Sequence, residues 1–77
     1  MPTVLRVGPY RFYFFSHEPN EPPHVHVDRD DATVKIWLDT LEEAKGRGFR
    51  THEISGIIAM VEKHRTALLE AWHEHFG

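Results

Sequence analysis

The run HVHVDRDDATVKIWL, residues 24 to 38, alternates apolar and polar side chains on both sides of Asp30-Asp31. Side chains along a strand point to opposite faces with period two, so the run reads as two strands about an Asp-Asp turn. With Arg29 opposite Ala32, Val27 meets Val34 and Val25 meets Ile36 on one face. Asp28 then meets Thr33, His26 meets Lys35, and His24 meets Trp37 on the other. A slip of one residue would set valine against lysine, so the pattern defines its own register. One face is aliphatic and has to be covered; the opposite face is polar and aromatic.

Upstream, TVLRV and YRFYFFS flank Gly8-Pro9 and read as a second antiparallel hairpin from about Thr3 to Phe15. Pro9 after Gly8 is awkward in a two-residue turn and leaves the loop length and register open. The same alternation puts Leu5, Val7, Phe12 and Phe14 on one face, with Arg6, Arg11, Tyr13 and Phe15 on the other. HEPNEPP, residues 17 to 23, is a proline-rich connection that can be neither helix nor inner strand.

The C-terminal third supplies the cover for both apolar faces. Thr51 is the expected N-cap, with Glu53 favourable in the first turn. Ile54, Ile57, Ile58, Val61, Leu68, Trp72 and Phe76 follow at helical spacing. Arg65 falls in the middle of that stripe, and His64 at its edge. A straight helix of about 25 residues would also measure roughly 37 Å, longer than so small a domain is wide. The helix therefore bends near residues 63 to 66, or overhangs the sheet and packs on a partner. Between sheet and helix, Thr40 and Glu43 have capping-box spacing for a short helical turn, stopped by Gly46 or Gly48. The expected architecture is α+β in a single domain, residues 1–77. Two β-hairpins (1–38) form an antiparallel sheet, a connector with a helical turn follows (39–50), and a long C-terminal helix (51–77), either bent or overhanging, lies across the apolar face.

At 77 residues this is close to the lower limit for a self-sufficient core. No cysteine is present, which removes disulfides and thiolate metal sites and fits a reducing compartment. The apolar stretches fall far short of a membrane span, and the N-terminus lacks a signal-peptide pattern. A cytoplasmic location away from membranes is expected. A net charge of −3 argues against a general polyanion binder, although that average hides where the charges lie.

The polar face carries the chemistry. His24, His26 and Asp28 form an H-x-H-x-D row in which neighbours i and i+2 are about 7 Å apart, close enough for two imidazoles to grip one ion. Asp28 is too far from His24 to share that ion easily, His17 lies on a loop of unknown path, and Lys35 opposes a cation beside His26. Metal ligation by His24, His26 and Asp28 is the third-ranked reading, and no cofactor is expected. A different reading uses the whole face: Arg6, Arg11, Tyr13 and Trp37 as substrate-binding groups, His24, His26 and Lys35 as catalytic ones. Cations interleaved with aromatics resemble the platforms that read single-stranded RNA. Arg6 opposite Arg11 is unfavourable unless an anion lies between them. Two imidazoles could act as base and acid on a phosphodiester while Lys35 steadies the charged intermediate, a metal-independent ribonuclease scheme. The bland alternative is a face whose long side chains cover one another, or one that contacts a protein. His73 and His75 diverge by about 200° on a helix and cannot chelate together. Trp72 is expected in the core, and Arg65 is expected to snorkel or to pair with a carboxylate.

EPPHVHV, KIWL, GF and LLEAWHEHF together resemble an uncharacterised group of small bacterial proteins, domain-of-unknown-function family 4160. The resemblance runs over nearly the whole chain, and EPPHVHV is its most specific part. It implies a gene often found beside another small uncharacterised domain, and hence a toxin–antitoxin-like pair, without an established activity to transfer. The expected function is a component of such a module that binds or cleaves RNA through the His24–His26–Lys35–Trp37 face. A non-enzymatic protein-binding module is the alternative, and a metal-dependent hydrolase comes third. Expected partners are RNA, a cognate small protein, and weakly a second copy through the distal helix.

Overall fold

The computed structural model describes residues 3–15 and 20–76. Five strands form one antiparallel sheet in sequence order: β1 (Thr3–Val7), β2 (Tyr10–Tyr13), β3 (His24–Arg29), β4 (Ala32–Trp37) and β5 (Glu43–Arg47). β3 and β4 pair in the register that their alternation predicts, from His24 opposite Trp37 to Arg29 opposite Ala32. Asp30 holds the turn with φ +55°, a left-handed conformation that aspartate tolerates better than most residues. β1 and β2 turn tightly at Gly8-Pro9, with Val7 opposite Tyr10. Gly8 takes φ +57° and proline supplies the negative φ that follows, the sign pattern of a type II′ turn. The awkwardness expected of Pro9 does not arise, because only the first of the two positions needs positive φ.

Residues 43–47 depart from expectation. The sheet is a five-stranded meander, and the connector holds a strand where a helical turn is expected. β4 would otherwise leave the backbone N–H and C=O groups on its edge away from β3 unpaired. β5 satisfies them, with Thr33 opposite Arg47, Val34 opposite Gly46 and Lys35 opposite Lys45. A bulge then brings Glu43 opposite Ile36.

The helical region is also two elements, α1 (Thr51–Lys63) and α2 (Arg65–Phe76), separated by His64. The N-cap is Arg50, one residue before the expected Thr51, and Glu53 Oε1 accepts the Arg50 backbone N–H at 3.0 Å. The break at His64 has a physical reason. A straight continuation would carry Arg65 into the apolar stripe; instead its guanidinium donates to the Asp39 carbonyl at 2.9 Å, in the turn that follows β4. Of the two expectations for Arg65, snorkelling or a carboxylate partner, the second is not met: the partner is a backbone carbonyl. A straight helix would also exceed the longest dimension, 33 Å. Phe12, Phe14, Val25, Val27, Val34, Ile36 and Leu38 from the sheet side form one buried cluster with Ile57, Val61, Leu68 and Trp72 from the helices. Leu69 and Phe76 pack against its edge, so the distal apolar residues that motivate self-association find cover within the chain.

Candidate functional site

Pleating and register sort the side chains of the sheet's other face into rows. One row crosses all five strands: Arg6, Arg11, Asp28, Thr33 and Arg47. The next carries Tyr13, His26, Lys35 and Lys45. Arg6, Arg11, Lys35, Lys45 and Arg47 therefore gather five of the chain's nine lysines and arginines on one face, although the whole chain carries −3. Like charges directly opposite one another are unfavourable. Arg11 is steadied by its Nε–H donated to Thr3 Oγ1 at 2.7 Å and by lying 4.7 Å over the Tyr13 ring. Lys35 pairs with Glu21 and lies 4.7 Å over the Trp37 ring. Among the described residues, no carboxylate forms an ion pair with Lys45 or Arg47.

A concavity of about 520 Å3 opens in this face. Tyr13, Phe15 and His26 form an aromatic wall, Asp28 and Thr33 a polar end, and Lys35, Lys45, Gly46 and Arg47 the cationic side. The His26 ring is stacked on Tyr13 at 5.4 Å and meets Phe15 edge-on at 4.3 Å. Phe15 is 37% exposed, the one large apolar side chain so open among the described residues. The Tyr13 hydroxyl reaches both Asp28 carboxylate oxygens at 3.0 Å. Burial first, and then that hydrogen bond, raise the Tyr13 pKa above its ordinary value near 10.0.

The predicted site residues separate. His26, Lys35 and Tyr13 line the concavity; Arg6 and Arg11 share the row of Asp28, Thr33 and Arg47 but lie on its far strands, outside the lining. His24 does not line it. Its ring is fully buried, 4.9 Å from Trp72 of α2, 5.6 Å from Trp37 and 5.1 Å from His26. Nδ1 is 2.9 Å from the Pro22 carbonyl, which can only accept, so that nitrogen carries the proton. Nor is His26 as open as an outward-facing strand residue; it is 7% exposed beneath Phe15 and Tyr13. The alternative metal set of His24, His26 and Asp28 is not drawn together: Asp28 faces Tyr13, one row from His26 and two from His24. Among the described residues, no three ligand-type side chains converge on one point. His17 lies outside the described residues. Sequence reasoning misses Lys45 and Arg47 because EAKGR lacks β-branched and aromatic residues. Their only signal is the two-residue spacing of the cations.

A family model described as a domain of unknown function (DUF4160) matches residues 10–73. No curated protein and no solved structure matches the chain. No helix among the described residues is long and apolar enough to cross a membrane.

Proposed function

The chain belongs to the DUF4160 family, which brings no activity with it, and from the charge and shape of its open sheet face we propose that it binds single-stranded RNA. The observation that carries this reading is the gathering of five of nine cations on one sheet face of a net acidic protein, three of them lining an aromatic-walled concavity. Phosphates meet Lys45, Arg47 and the Arg6–Arg11 pair, and unstacked bases pack against Phe15. An anion between Arg6 and Arg11 also relieves their repulsion.

Binding without cleavage is favoured by the burial of His24. A two-imidazole acid–base pair needs both rings at the phosphodiester, and His24 is packed against Trp72. The place of this binder in a toxin–antitoxin-like pair rests on the family resemblance alone. Co-purification from the native host, with RNA and protein both assayed, tests that assignment.

The direct test is fluorescence anisotropy with a short unstructured RNA over a range of salt. Each phosphate contact on a single strand contributes about 0.7 to the slope of log K against log salt. Lys45→Ala with Arg47→Ala is expected to weaken binding and lower that slope by about 1.4, with the RNA recovered intact. Unchanged affinity and slope would remove the reading. A partner protein captured through this face without RNA would favour the protein-binding alternative.

A further inference from the structure

Asp28 is an anomaly in the face just described. It is a half-buried carboxylate at the polar end of an otherwise cationic concavity. A patch meant only for phosphates gains nothing from it, since a carboxylate repels them. An ionised carboxylate has about four acceptor positions. The Tyr13 hydroxyl, with one proton, fills one of them, and among the described residues it is the hydrogen-bond donor to Asp28. Capacity for further donors remains, in a partly desolvated place where an unmet acceptor is costly.

Ligand polarity follows. The end that reaches Asp28 has to present N–H groups, while the end that reaches Lys45 and Arg47 has to be anionic. Asp28 and Arg47 occupy one row two strands apart, so their Cα atoms are separated by about 10 Å. That span suits a base edge at one end and its phosphate at the other, given the reach of an arginine. Among the common bases, guanine alone places two adjacent donors, N1–H and the N2 amine, along its pairing edge, and a carboxylate accepts both at once. Adenine and cytosine offer one amine beside an acceptor nitrogen, which the carboxylate repels. Uracil offers one imide N–H between two carbonyls.

We propose that the concavity is a guanine seat, with Asp28 accepting N1–H and the N2 amine, Phe15 covering the base, and Lys45 and Arg47 holding the adjacent phosphate. This deepens the RNA-binding reading and rests on it. The volume of about 520 Å3 lies within the usual range for a pocket that encloses one small ligand.

The test compares UUGUU with UUAUU, UUCUU and UUUUU RNA on the wild-type protein at one salt concentration, which needs no variant to fold. A bidentate pair discriminates by roughly 1–3 kcal/mol, so UUGUU is expected to bind about 5-fold to 150-fold more tightly. In Asp28→Asn the preference for guanine is expected to fall to near one while the salt slope stays unchanged. Asparagine keeps the shape and an acceptor for Tyr13, and thermal unfolding of this variant checks that it folds. Equal, salt-dependent binding of all four oligomers would overturn the guanine seat and leave the RNA-binding reading standing. No binding of any oligomer overturns both. Guanine preference retained in a folded Asp28→Asn protein would overturn the role given to Asp28.

Discussion

His24→Ala is the perturbation that best separates a histidine of the working face from a histidine of the core. The ring is fully buried, with Trp72, His26 and Trp37 at 4.9, 5.1 and 5.6 Å between centroids and the Pro22 carbonyl 2.9 Å from Nδ1. Truncation removes the hydrogen bond, worth about 1 kcal/mol, and leaves the carbonyl without its donor. It also removes edge-on ring contacts of about 0.5–1.5 kcal/mol each and opens a cavity between two indoles that α2 cannot readily close. A loss of about 3 kcal/mol is expected. A domain of this length has a total stability of about 4–12 kcal/mol, and each kcal/mol moves its melting temperature by about 4–8 °C. The midpoint should therefore fall by about 12–24 °C in a thermal scan at neutral pH. His24→Asn, whose amide can still donate toward Pro22, should recover about 1 kcal/mol. RNA binding by His24→Ala, measured below its melting point, should stay within about threefold of wild type because the side chain does not line the concavity. A fall of less than about 4 °C together with lost binding would refute the reasoning and return His24 to the site.

His26→Ala should cost about 1–2 kcal/mol, since Phe15 and Tyr13 both lose a ring contact, whereas the strand alternation alone implies a loss within about half a kcal/mol. Val27→Ala, fully buried in the aliphatic cluster, should cost more, about 2–3 kcal/mol, and paired urea titrations rank the two. Glu53 carries a pKa below its ordinary 4.5, first because it accepts the Arg50 backbone N–H and then because it pairs with Arg29 at 2.5 Å. A depressed carboxylate contributes stability above its unfolded pKa and loses it as pH falls through the folded value. Glu53→Gln should therefore melt below wild type at pH 7, and the gap should narrow below pH 4.5 and close once the wild-type carboxyl is protonated; melting curves from pH 7 to 2.5 check this.

What the chain dictates locally is clearest in β3 and β4. Valine and isoleucine at alternate positions about Asp30-Asp31 admit one low-energy pairing, and every pair in the structure follows it. The break between α1 and α2 is legible for a similar reason, because Arg65 cannot stay in an apolar stripe and a straight helix outruns the domain. Part of the site is legible too: His26 faces Lys35 because register follows from the side-chain pattern, and Tyr13 leaves its own strand on the same side of the sheet.

Two matters belong to tertiary structure. EAKGR carries no strand preference of its own; it is a strand because β4 offers unpaired backbone groups, and that pairing brings Lys45 and Arg47 to the concavity. The fate of His24 is decided by a residue 48 positions away. Alternation sends its side chain to the open face with His26, but the break at His64 lets α2 return and set Trp72 against the ring. A period-two pattern says which side of the sheet a side chain leaves from. What then covers it depends on where the rest of the chain comes back.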